Sequence, residues 1–338
     1  MRPATWAFAG WLALCGAGCA GASDGGEALV DGGVDVTGDA ATDSTTDSSD
    51  TDAAADPLCN GSAALCTRTL AELCLPGAHN AMSSAAEGWS FPNQNVAFTA
   101  LLDQGIRALL LDVYRWDDPD DDGGEADAGP ELWLCHSNCL LGKRRFSEAL
   151  AGLRTWLDAH PRELVFIVLE DPAPAAEVKA AIDAADLRER AAELDPTALP
   201  TLGALLDAGK QLVWTAEQKG GAPAPGVWYH DVWKLVQDTP YTFRSQQELR
   251  TYSSDAHSCR PNRGAADAPL LQVNHWVAKI LPTVEQSAAA NTLDVLLERA
   301  AACEALRGRK VNILAVDHAD MGEVVRAARI LNGLEAAP

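Results

Sequence analysis

The segment LPGAHNAM, residues 75–82, sets a titratable ring and an amide, His79 and Asn80, directly after a short apolar run and a Pro-Gly turn signal. A second histidine, His136, stands in the segment LCHSNC, residues 134–139. Two histidines near neutral pH can take a proton from an attacking hydroxyl and return one to a leaving oxygen. Asn80, Asp112 and Glu170 offer hard oxygen donors suited to Ca²⁺, with Mg²⁺ as the alternative, and a divalent cation would neutralise charge on a phosphate. The inventory holds no activated serine or thiol. Its sum is phosphodiester cleavage.

Such groups need a scaffold that brings them to one place. From residue 70 onward, short apolar runs alternate with helical patterns, which indicates a parallel sheet covered on both faces. The expected strands are 72–75, 108–114, 132–135, 164–169, 211–215, 270–273 and 312–316. The expected helices are 146–159, 175–192, 201–208, 287–306 and 322–331. In the first of these, Leu150, Leu153, Trp156 and Leu157 share one face. An eighth strand is expected within the Trp-rich stretch 226–241. About 280 residues of repeated β/α units, without a dinucleotide-type glycine fingerprint, point to an α/β fold of the (β/α)8 barrel type.

In a barrel the carboxyl ends of the strands converge on one face, where active sites are built. Those ends carry His79-Asn80, Asp112 with Arg115 beyond it, Cys135-His136, Glu170-Asp171, Glu217, Asn274-His275 and Asp317-His318. Arg115, Glu217, Tyr241, His275 and Asp317 are therefore candidates to face substrate, Asp317 being placed to orient a ring or hold a sugar hydroxyl. Trp228 and Tyr229 are further candidates for the wall, although core packing is the commoner fate of such rings. For His275 and His318 a satisfied core ring is the competing reading, and for His160 a helix-end contact suffices.

Net charge is −22 with an isoelectric point near 4.6, which excludes a nucleic-acid backbone as an electrostatic partner. Residues 1–19 read as an export signal, with Arg2, an apolar stretch 4–14, and small residues before Cys19. Cys19 is the expected lipidated residue of an exported lipoprotein, and ordinary cleavage near Ala17 or Ala20 is the alternative. Residues 20–57 carry ten acidic side chains and no Lys or Arg, the composition of a disordered tether. The barrel is then expected over 58–338. The loop 117–130, with seven acidic residues, reads as a solvated excursion. Disulfides are expected for Cys59/Cys66, Cys135/Cys139 and Cys259/Cys303, with Cys74 a buried thiol.

The chain resembles the phosphatidylinositol-specific phospholipase C X-domain family in its secreted bacterial and fungal branch. The motifs that carry this are CNGSAALC (59–66), PGAHNAM (76–82), QGIRALLLDV (104–113), LCHSNC (134–139), WLDAHPRELVFIVLED (156–171), DTPYTF (238–243), VNHW (273–276) and VNILAVDHADMG (311–322). The resemblance implies an irregular, partly open barrel. It implies His79 as the general base that deprotonates an inositol hydroxyl, and His136 as the general acid that protonates the departing diacylglycerol oxygen. Asn80, Asp112 and Glu170 match three metal-binding positions of the calcium-dependent branch, while Leu110 stands where a fourth carboxylate is expected. The expected substrate is a phospholipid at a membrane surface. The alternatives are a catalytically silent barrel that binds a lipid headgroup or glycan, and a phosphodiesterase for sphingomyelin or a glycerophosphodiester.

Overall fold

A computed structural model describes residues 58–117, 131–222, 224–277 and 283–338. The expected export signal, the acidic tether and all of the acidic loop after Asp117 lie outside the described residues. Among the described residues ten strands run in chain order: β1 Leu75–Ala78, β2 Ala108–Trp116, β3 Glu131–Leu134, β4 Arg144–Arg145, β5 Val165–Glu170, β6 Leu212–Ala216, β7 Tyr229–Asp231, β8 Val236–Asp238, β9 Leu270–His275 and β10 Ile313–Val316.

Eight of them form one parallel sheet in the order β7-β6-β5-β2-β1-β10-β9-β8. That is the sequential circuit of a (β/α)8 barrel, interrupted between β7 and β8, which do not pair. The barrel is therefore partly open, as expected. The stretch 226–241 supplies two short strands rather than one. The run 132–135 is not a barrel strand: β3 pairs antiparallel with the end of β2 and with β4, so it belongs to a hairpin that extends β2 above the rim. Its first residue, Glu131, is exposed and Leu132 half-buried, and only Trp133 and Leu134 are buried, where β5 is buried from Val165 to Leu169.

Side chains split by parity, as strand geometry requires. In β5, Phe166 and Val168 join Leu75, Ala108, Leu110, Val213, Leu270, Ile313 and Ala315 in the barrel interior. Val165, Ile167 and Leu169 pack outward in the layer that holds Leu150, Leu153, Trp156 and Leu157 of the helix Phe146–Ala159. The helix expected over 175–192 ends at Ala184, and the one expected over 287–306 divides into Val284–Ala290 and Leu293–Arg307. The bridges Cys59–Cys66, Cys135–Cys139 and Cys259–Cys303 are formed, and Cys74 is a buried thiol. None of the described helices is long and apolar enough to cross a membrane.

The interior narrows at Gly77, between its register partners Ala315 and Ala108. A Cβ there would lie 3.3 Å from the Ala315 Cα and from the Ile313 side chain. Gly77→Ala should therefore cost about 1–3 kcal/mol through overpacking of neighbouring strands, read as a lower urea midpoint; an unchanged midpoint would show that the strands yield freely.

Candidate functional site

Parity also decides which strand-end residue faces the barrel mouth. Continuing each interior row by two residues leads from Gly77 to His79, Leu110 to Asp112, Val168 to Glu170, Thr215 to Glu217, Gln272 to Asn274 and Trp276, and Ala315 to Asp317. One cleft is lined by His79, Asn80, Asp112, Glu170, Glu217, Tyr241, Arg263, Asn274 and Trp276, with Leu110 and Val168 as its floor.

His79 is the most constrained of these groups. Its Nδ1 lies 2.8 Å from Asp317 Oδ1, and its ring stacks on Trp276 at 3.8 Å between centroids, the two planes 4° apart. Asp317 is 1% exposed, and its carboxylate can only accept, so Nδ1 carries a proton and Nε2 is the ring nitrogen left outside this bond. The same Asp317 oxygen accepts from Asn93 Nδ2 at 3.0 Å. Asn93 Oδ1 accepts in turn from Asn80 Nδ2 at 3.3 Å, and that amide nitrogen sits 3.3 Å from His136 Nε2 and 3.4 Å from its Nδ1. A chain of polar contacts thus joins the two histidines.

Residues 83–95 form the loop that supplies Asn93. Ser83 O accepts from the backbone N–H groups of Asn93 and Gln94, and Gln94 O accepts from Ala85. Gln94 donates to His79 O at 2.7 Å and accepts from Ala319 N at 2.8 Å, so it ties the loop to the ends of β1 and β10. His136 follows β3, next to the Cys135–Cys139 bridge. Partial withdrawal from water, and then the neighbouring His79, lower its pKa.

The opposite wall is acidic. Asp112 and Glu170 are register partners on β2 and β5. Burial, followed by Glu170 and Glu217, pushes the Asp112 carboxyl well above the usual carboxylate range. Burial likewise raises Glu217 to about 7, although Arg263 pairs with it at 2.8 Å. Arg263 also binds Asp238 at 2.7 Å and lies over the rings of Trp233 and Tyr241. It is the one cation among the described residues lining the cleft. Among the described residues no group of three or more His, Cys, Asp and Glu converges on a metal position. Asn80, Asp112 and Glu170 share the cleft as two carboxylates and an amide, a hard-oxygen set that fits Ca²⁺ or Mg²⁺ in chemistry, because a cation would relieve the crowded negative charge.

Two of the expected substrate-facing residues lie elsewhere. Arg115 has outward parity and pairs with Glu177 on the barrel exterior. His275 also has outward parity. It is fully buried, and its Nε2 donates to Ala290 O at 2.9 Å. Trp228 and Tyr229 are buried as well, Tyr229 donating to Asp171. The sequence names Asn274 at its strand end without giving it a role, and does not single out Asn93, Asp238, Arg263 or Trp276; parity could have found Trp276, while Asn93 and Arg263 come from loops that carry no such signal.

An open eight-stranded parallel barrel with two coupled histidines at its carboxyl mouth is the class of architecture defined so far. The chain belongs to the PI-PLC X family: the family model PI-PLC X 1 matches residues 65–332. It is similar to PI-PLC X domain-containing protein 1 of Arthroderma benhamiae, 27% identical over 300 residues that cover 83% of this chain and 91% of the relative. A PI-PLC X domain-containing protein of Arabidopsis thaliana is 34% identical over 107 residues, 28% of this chain and 22% of that protein. Among solved structures, phosphatidylinositol-specific phospholipase C from Listeria monocytogenes superposes with a TM-score of 0.50 at 17% identity, covering 80% of this chain and 96% of that one. A mutant of the corresponding Staphylococcus aureus protein gives 0.50 at 12% identity, covering 79% and 94%. These structural likenesses bear on the fold.

Burial, and then the charge of Arg299, depress the His275 pKa to about 3. A folded pKa below the unfolded value means that this contribution to stability is complete above about pH 6.5 and is lost as pH falls toward 3. The His275 ring resonances should therefore stay those of a neutral imidazole from pH 8 to pH 5 in NMR titration; a midpoint near 6.5 would refute its burial.

Proposed function

We propose that the protein cleaves a phosphodiester in a phospholipid of the phosphatidylinositol class, with His79 as general base and His136 as general acid. The observation that carries this is the fixed His79 ring, whose Nδ1 is held by buried Asp317 and whose face is covered by Trp276. A base so held presents Nε2 to the cleft without losing further rotamer freedom on binding. His79 removes the proton from the attacking hydroxyl, and His136 gives a proton to the oxygen that leaves phosphorus. The depressed pKa of His136 makes it a stronger acid when protonated, which suits proton donation to an alkoxide. Asn80, bonded to Asn93, keeps the second ring beside the first.

Asn80, Asp112 and Glu170 would hold the divalent cation, which supplies charge neutralisation for the phosphate oxygens. Leu110 adds no ligand, so water would complete the coordination shell. Tyr241 and Glu217 remain the proposed substrate-side groups; Asp317, buried behind the ring, acts through His79 as a positioning residue. A phospholipid substrate places the protein at a membrane surface, and the expected export with a lipid on Cys19 fits that setting.

A phosphorus NMR assay with phosphatidylinositol, with and without EGTA, tests substrate, product and metal together. The expected result is turnover that EGTA suppresses and Ca²⁺ restores. His79→Ala and His136→Ala should each lower the rate by about 10²–10⁴-fold, with unchanged circular dichroism. Turnover in EGTA would remove the cation from the proposal. Rates near wild type in either variant would remove the histidine mechanism, and binding of phosphatidylinositol without turnover would favour the silent barrel.

A further inference from the structure

On this acidic chain an arginine readily finds a carboxylate: Arg107 pairs with Glu163, Arg162 with Asp207, Arg190 with Asp158 and Arg263 with Glu217. Arg299, on the helix Leu293–Arg307, departs from that pattern. Its side chain is fully buried. Nη2 donates to Ser258 O at 3.2 Å, and the guanidinium carbon lies 4.6 Å from the centroid of the Phe243 ring. Nε and Nη1 have no hydrogen-bond partner. Glu298, the preceding residue, is taken by Arg250. Burial pulls the Arg299 pKa down to about 9, so the group keeps its charge at neutral pH.

The surroundings limit what can answer that charge. Phe243 belongs to a small apolar cluster with Leu249, Val277 and Ala290. Ser258 is fully buried, and its hydroxyl, on the residue whose carbonyl binds Arg299, has no partner. His275, which feels the Arg299 charge, gives its Nε2 hydrogen to Ala290 O and has an unpartnered Nδ1. The unmet groups beside the guanidinium therefore include three donors, two N–H and one O–H, and no negative charge. Water could accept from them but would leave the charge uncompensated. A phosphate or sulfate would bring more charge than one guanidinium offsets. A halide carries one charge and accepts from several donors at once.

We propose that Arg299 and Ser258 hold a buried chloride ion at the seam between the segment ending in Cys259 and the helix Leu293–Arg307. The same two elements are joined by the Cys259–Cys303 bridge and by Arg307, which donates to Cys259 O at 3.2 Å. Arg263, which balances Glu217 in the cleft, lies four residues beyond that bridge, so the ion steadies the base of the loop that carries it. The site itself lies behind the cleft, on the outward side of β9, and does not depend on the hydrolase reading.

The test is thermal unfolding of the full chain at constant ionic strength, with sodium chloride replacing sodium gluconate. Tm should rise by about 2–5 °C and saturate, as occupancy of a single site in the folded state requires. Arg299→Met should remove the rise, and Ser258→Ala should shift its midpoint to about threefold higher chloride or more. If Arg299→Met does not fold, Ser258→Ala alone carries the comparison. A crystal grown in bromide should show an anomalous peak in contact with Arg299 Nε and Nη1. Equal Tm in the two salts would overturn the proposal. So would an unshifted chloride midpoint in Ser258→Ala, or an ordered water in place of the bromide peak.

Discussion

The carboxylate of Asp317, buried at the end of the last strand, is the group on which the site depends. A charge withdrawn from water is tolerated only where donors replace its hydration. Here the donors are His79 Nδ1–H and Asn93 Nδ2–H, which converge on one oxygen. The contact exists because β1 and β10 pair in parallel with Ala78 opposite Val316, so the next residue of each strand turns to the same side. Removing either donor would leave a desolvated charge poorly matched, which binds the fold of the first loop to the orientation of the His79 ring. Asn93 then passes the constraint to Asn80 and His136.

Across the mouth, the protein holds Asp112, Glu170 and Glu217 closer together than their charges favour, and burial with mutual repulsion raises the pKa of Asp112 and Glu217. Arg263 offsets part of this from the loop before Gly264, where a Cβ would strike the Val236 carbonyl. With φ at +94°, that glycine lets the loop lie against β8 and puts the guanidinium between Glu217 and Asp238. The cleft therefore has two electrostatic halves. One presents an oriented imidazole; the other is an oxygen-rich wall suited to a cation or to polyol hydroxyls.

Much of this architecture could be read from the chain itself. Unbroken apolar runs such as VFIVL, followed by a carboxylate, announce a buried parallel strand with a polar end, and β5 obeys that rule. The helix Phe146–Ala159 coincides with its periodic pattern because its buried face is continuous. The errors have a common source. Placing a residue at a strand end does not say which side of the sheet it faces, and His275 and Arg115 fall one position out of phase with the interior row. The hairpin of β3 and β4 was hidden for another reason: a short run of four residues looks alike in a barrel strand and in a rim extension. Asn93 and Arg263 depend on loop closure between segments far apart in sequence, and no local pattern encodes that.

The proposed division of labour between the histidines can be separated by leaving-group chemistry. A phosphodiester that expels a nitrophenolate needs no protonation of the departing oxygen, whereas an alkyl alkoxide does. The decisive measurement is the rate of His79→Ala and His136→Ala on a nitrophenyl and on an alkyl inositol phosphodiester. The account predicts that the nitrophenyl substrate restores most of the rate lost in His136→Ala and none of that lost in His79→Ala. Equal losses on both substrates in His136→Ala would contradict it.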